Sequence, residues 1–168
     1  MKNIFLIGMP SSGKSTLGKS LAHALHYRFI DTDKLIVRQE GRSIAHIFAQ
    51  SGEAYFREAE RRVLQAIRPG GSLVVATGGG MPCFHDNMTH INSTGVSVFL
   101  DVPVEMLVRR ILAHGQEDRP LNSAKDPHLL ATLQKRYEDR LPFYSRATIT
   151  VLGETTKDDV LNRIGEWL

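Results

Sequence analysis

The stretch Gly8-Met9-Pro10-Ser11-Ser12-Gly13-Lys14-Ser15 constrains this chain more than any other. It follows the apolar run Asn3-Ile4-Phe5-Leu6-Ile7 and precedes a segment in which Leu17, Leu21 and Leu25 recur every four residues. That order reads as strand, glycine loop and amphipathic helix. In this context the pattern G-x-x-x-x-G-K-[ST] curls the backbone so that successive N–H groups face inward at the start of a helix, where the dipole favours anions. The loop residues Gly8, Met9, Pro10, Ser11, Ser12, Gly13, Lys14 and Ser15, with Thr16 behind them, are therefore candidates for holding the phosphates of ATP. Lys14 would reach the β- and γ-phosphates and Ser15 would ligate Mg²⁺. A glycine turn that binds nothing is the alternative; agreement of every fixed position with a strand-to-helix context argues against it.

The remaining chain repeats the alternation. Tyr27 to Asp33 reads as a second strand ending in acidic residues, and Ser43 to Gly52 as a helix capped by Ser43 and stopped near the glycine. Glu53 to Ile67 continues as another helix, with Tyr55, Phe56, Ala59, Val63 and Ile67 on one side. The β-branched runs in "SLVVATGGG", "VSVFLD" and "ATITVL" read as buried strands. Between the last two lie a helix begun by Pro103, the polar segment "QEDRPLNSAKD", and a helix from about Pro127 to Arg140. The closing "TKDDVLNRIGEWL" is amphipathic through Val160, Leu161, Ile164 and Leu168. Strands alternating with helices predict an α/β fold, a mostly parallel sheet covered on both faces, with the site at the carboxyl ends of its strands.

Several later motifs carry chemistry. Asp31-Thr32-Asp33 closes the second strand, so its two carboxylates would point to the same side, one toward a metal and the other toward an incoming hydroxyl. Asp33 serves equally well as a helix cap. Arg57 sits in a partly apolar helix, where a surface role is the ordinary one. Gly78-Gly79-Gly80 at a strand's carboxyl end suits a place where backbone approaches a ligand. Arg119, in the polar segment beyond Gly115, is the candidate cation for a segment that closes over phosphates and excludes water. Arg140 ends a helix, where it could simply complement the dipole.

Taken together and in order, these motifs resemble the shikimate kinases over nearly the whole chain: G-x-x-x-x-G-K-S, D-T-D, "GRSIAHIF", "GEAYFREAE", T-G-G-G, R-P-L and R-x-P-x-Y. The resemblance implies a three-layer α/β/α kinase fold with a central five-stranded parallel sheet. It implies one domain over 1–168, a substrate-binding region at about 32–62 and a mobile lid at about 112–126. It implies transfer of phosphate from ATP to the 3-hydroxyl of shikimate, with Mg²⁺. In that family the residue matching Asp33 contacts the acceptor hydroxyl, and that matching Asp31 approaches Mg²⁺ through water. Those matching Arg57 and Arg140 clasp the acceptor carboxylate, with backbone contacts from the triglycine at Gly79 and Gly80 and with Gly78 beside them. The residue matching Arg119 reaches the ATP phosphates. Either Arg109 or Arg110 would lie beside the adenine.

Composition narrows the alternatives. With 168 residues, 42% hydrophobic and 23% charged, the chain suits one ordinary domain. Net charge is +3 from scattered residues, which predicts no nucleic-acid surface. The lone Cys83 fits a reducing compartment and a small apolar role. No run approaches the roughly 20 apolar residues of a membrane span, and the first residues lack a cleavage pattern. A cytoplasmic monomer with no membrane partner is therefore expected. Two rivals remain: a kinase of similar fold for another acceptor such as gluconate, and a non-catalytic nucleotide-binding relative. The first does not predict D-T-D together with R-x-P-F-Y; the second does not require Lys14, Asp33 and Arg119.

Overall fold

Five short strands form one all-parallel sheet in the order β2-β3-β1-β4-β5. They are β1 Asn3–Ile7, β2 Arg28–Asp31, β3 Leu73–Ala76, β4 Gly95–Asp101 and β5 Ile149–Leu152. The helices are α1 Lys14–Leu25, α2 Thr32–Glu40, α3 Ile44–Gln65, α4 Asn87–Thr94, α5 Val104–His114, α6 Leu129–Tyr144 and α7 Lys157–Ile164. This computed structural model describes residues 1–114 and 126–168.

The sheet is covered on both faces, as its uniformly apolar inner strands require. Strand side chains alternate between faces, so β1 feeds two cores. Phe5 and Ile7 join Val75 and Phe99 against α3, α4, α5 and α6 through Leu64, Ile91, Leu107 and Leu133. Ile4 and Leu6 join Val74, Val98 and Val151 against α1 and α7 through Leu21, Ala22, Val160 and Ile164. A third cluster of Ile36, Ile47, Phe56, Ala59 and Val63 packs α2 on α3. Asn3, fully buried, links the strands through its side chain, donating to the Arg68 carbonyl at 2.8 Å and accepting from Leu73 N at 3.2 Å.

The two helices expected on either side of Gly52 are present as one long element broken there, where φ is +84° and ψ 170°. No atom lies within 4 Å of a Cβ built at Gly52, so glycine is needed for its backbone angle and not for space.

Parts of the chain differ from the sequence reading. β2 ends at Asp31, and Asp31, not Asp33, caps α2 by accepting from Lys34 N at 3.2 Å. The two aspartates therefore do not share one side of a strand; Asp33 lies in the first helical turn. α6 runs through Pro142 to Tyr144; the proline removes one rung of the helical ladder, its own N–H, without ending the helix. α5 runs to His114 as read from the sequence, so the first residues of the expected lid, from about 112, belong to that helix. Finally, Met81–Cys83 forms a short 3-10 turn leading to α4, and neither was anticipated.

Candidate active site

The loop after β1 opens into a cleft of about 1030 Å³ at the carboxyl ends of the strands, where the strand order reverses about β1. Its walls are Ser11 to Leu17, Asp31, Asp33, Thr77, Arg110 and the β5–α7 connection from Gly153 to Lys157. Gly13 caps α1 with φ +95°, a conformation that an L side chain resists. Lys14, 7% exposed, folds back over the loop, its Nζ donating to the carbonyls of Gly8 and Met9, each at 2.8 Å. Ser15 Oγ donates to Asp31 Oδ2 at 2.8 Å. One hydroxyl and one carboxylate thus meet at the helix start, hard oxygen donors of the kind Mg²⁺ takes alongside phosphate oxygens. Among the described residues no group of three or more His, Cys, Asp and Glu could hold a metal by itself.

Arg110 is the arginine of its pair that faces the cleft, donating to the Ser11 carbonyl at 3.0 Å, whereas Arg109 is exposed. The β5–α7 wall was not foreseen from sequence. It is short and polar, and only Gly153 would have signalled a turn there. Arg119 lies outside the described residues, as does most of the expected lid.

Beside the cleft, buried charged side chains close on the triglycine after β3. A Cβ at Gly78 would lie 2.6 Å from Asp33 Oδ1 and 2.9 Å from Glu60 Oε2. At Gly79 it would lie 2.9 Å from Arg140 Nη1, and at Gly80 it would strike the Arg57 guanidinium. Side chains from α2, α3 and α6 thus converge on backbone that has no side chains of its own. Arg57, which looked like an ordinary surface arginine, is 4% exposed. It donates to Glu60 Oε1 at 2.8 Å and to Glu53 Oε1 at 3.1 Å, and its guanidinium lies 4.2 Å from the Phe84 ring centroid. Arg140 is 9% exposed and does not reach solvent to serve the helix dipole.

Two buried polar atoms here have no hydrogen-bond partner, Arg140 Nη1 and Glu60 Oε2. Both abut the triglycine. A buried guanidinium N–H without an acceptor is costly, and a carboxylate or similar anion supplied by a ligand satisfies it. Cys83 also lines this region; burial pushes its thiol up to about 11, consistent with the small apolar role.

Glu60 went unremarked in the sequence; its partner Arg57 stands three residues earlier on α3, but the triglycine, Asp33 and Arg140 that enclose it come from other elements. Burial pushes its carboxyl up to about 7 from 4.5, against the lowering pull of Arg57. Asp33 adds to the rise and Arg140 opposes it. The folded protein then binds a proton that the unfolded chain has released, so this group's contribution to stability is full below about pH 4.5 and is lost as pH rises through about 7. Glu60→Gln, fixed in a neutral form, is expected to flatten that fall. Urea unfolding at pH 5.5 and pH 8 measures it, and equal slopes for both proteins would contradict the assignment.

The comparisons agree with the geometry. The profile of the shikimate kinase family matches residues 10–168. A shikimate kinase of Clostridium botulinum (strain 657 / Type Ba4) is 40% identical over 161 residues, 96% of this chain and 92% of that protein. The structure of shikimate kinase from Acinetobacter baumannii in complex with shikimate superposes with a TM-score of 0.88 at 31% identity, covering 99% of this chain and 92% of that one. The enzyme from Bacteroides thetaiotaomicron gives a TM-score of 0.87 at 35% identity, covering 99% and 97%. With its five-stranded parallel sheet and phosphate loop, and this similarity along nearly its whole length, the chain belongs to the shikimate kinase family.

Proposed function

We propose that this protein transfers the γ-phosphoryl group of ATP to the 3-hydroxyl of shikimate, giving shikimate 3-phosphate and ADP on the route to aromatic amino acids. The observation that carries the reading is the buried, unpartnered Arg140 Nη1 beside Gly79, with Arg57 against Gly80, next to the cleft of the phosphate loop. It is a receptor for a small anion set beside one for a nucleotide. Shikimate presents one carboxylate to such a receptor and hydroxyls to the side where Asp33 stands.

In this reading Gly8 to Thr16 hold ATP, with Lys14 steadying the β- and γ-phosphates. Ser15 and Asp31 would hold Mg²⁺, which supplies neutralisation of phosphate charge when bound. Arg57 and Arg140 clasp the carboxylate by charge-assisted hydrogen bonds, with backbone of the triglycine Gly78 to Gly80 beside them. Asp33 accepts a hydrogen bond from the 3-hydroxyl and turns its oxygen toward the γ-phosphorus. Helices α2 and α3, residues 32–62, form the acceptor region of a single domain, and Arg119 meets the phosphates from a lid at about 112–126. The protein works as a cytoplasmic monomer without nucleic-acid or membrane partners. Among the described residues no helix is long and apolar enough to cross a membrane.

The test is ADP release measured with shikimate, quinate, gluconate and no acceptor. Release stimulated by shikimate above the others is the expected result. Stimulation by gluconate alone would assign the pocket to another acceptor, and acceptor-independent binding without release would make the protein a nucleotide sensor.

A further inference from the structure

The last turn of α6 carries a side chain that the proposed reaction leaves without a role. Tyr144 is completely buried, its ring 5.0 Å from that of Phe99. Its hydroxyl donates to the Gly79 carbonyl, with Met9 Sδ of the phosphate loop 3.9 Å away. The Arg140 guanidinium, one helical turn earlier, acts on the same hydroxyl by its charge. Burial holds the phenol above its usual range, so it stays protonated and remains a donor.

The geometry of one peptide unit gives this contact its meaning. The carbonyls of Gly78 and Gly80 accept from backbone, Met81 N at 3.1 Å and Cys83 N at 3.0 Å. That of Gly79 is held by a side chain instead. In a trans peptide the C=O and the following N–H point in opposite directions. Pinning the Gly79 carbonyl to Tyr144 therefore turns the Gly80 N–H away from α6, at the residue that touches Arg57. Arg140 Nη1 lies against the neighbouring Gly79, 2.9 Å from where a Cβ would be.

We infer that Tyr144 is a positioning residue for the acceptor's carboxylate: its hydroxyl sets the Gly79–Gly80 peptide beside the Arg140 guanidinium, so that peptide and guanidinium form one anion receptor. The inference rests on the shikimate reading above. A purely structural tyrosine would act through its ring, which Tyr144→Phe retains. Without the hydroxyl, the Gly79 carbonyl loses its donor and the peptide is free to rotate.

Steady-state kinetics of Tyr144→Phe should show KM for shikimate raised about tenfold, the size of one lost hydrogen bond in a buried site, with kcat within about threefold and KM for MgATP unchanged. In an Arg140→Ala background the same change should cost much less, because both act on one receptor. Tyr137→Phe is the control on the same helix: its hydroxyl donates to Asp101 Oδ1 at 3.0 Å, and its removal should leave the shikimate KM unchanged. An unchanged shikimate KM in Tyr144→Phe, a parallel rise for both substrates, full additivity with Arg140→Ala, or failure of Tyr144→Phe to fold would each overturn the inference. In the first three of these the wild type still phosphorylates shikimate, and the proposed function stands. A wild type that releases no ADP with shikimate overturns both.

Discussion

Replacing Lys14 with Met is expected to cut turnover at least about a thousandfold while the protein remains folded. The size follows from where the ammonium sits. It is buried inside the loop and bonded to two loop carbonyls, so its charge is poorly screened by water. In the proposed reaction, charge that migrates between the β- and γ-phosphates would develop within reach of that ammonium, and a thioether of similar length would offer nothing to it. Met keeps the apolar stem and the packing of α1. Turnover with saturating MgATP and shikimate, alongside a thermal melt, decides the matter. A folded Lys14→Met protein with near-normal turnover would remove Lys14 from the chemistry and the phosphate loop from its assigned role.

Asp33→Asn is expected to lower kcat by about a hundredfold to a thousandfold, with MgATP affinity unchanged. The amide preserves shape and helix, but it carries no charge and accepts through only one oxygen. Asp33 stands beside Gly78 and near Glu60, on the boundary between the nucleotide cleft and the arginine pocket, where a hydroxyl of a carboxylate-anchored ring would come to rest. Nucleotide titration and single-turnover phosphorylation separate the two effects. Full activity in the asparagine variant would mean that the hydroxyl is oriented by something else, and a matching loss of nucleotide affinity would move Asp33 to the nucleotide's side of the cleft.

What could be read from the sequence divides along physical lines. The strand, loop and helix around Gly8 to Ser15 were legible because their signals are local: apolar runs, fixed glycines, a four-residue repeat. The break at Gly52 was legible for the same reason. α4 was not, because it buries Asn87 and Thr94 beside Met88 and Ile91, satisfying the polar pair through the carbonyls of Met81 and His90. Such a helix has no apolar stripe to read. The burial of Arg57 and Arg140 was equally hidden: nothing near either in sequence announces that Gly79 and Gly80 will press against them from the loop after β3. The family resemblance supplied those roles where periodicity could not. The aspartate pair was misplaced because a strand end and a helix cap share the same residues, and the strand ended at Asp31, two residues earlier than the reading through Asp33.

The sheet order also dictates when the molecule can become itself during synthesis. β1, the strand from which the phosphate loop springs, lies between β3 and β4 and has no neighbour close in sequence. Its first bonds, such as that from Leu73 N to the Asn3 side chain, span 70 residues. A parallel pairing closes no hairpin, so the entropy of a long loop must be overcome before any strand contact rewards it. The nascent chain therefore carries this buried apolar strand unpaired while α1, β2, α2 and α3 are being made, and local helices are the structure it can hold in that interval. The nucleotide cradle, although encoded first, is among the last parts to acquire its walls, since Arg110 and the β5–α7 connection reach it only after β4 and β5 have docked.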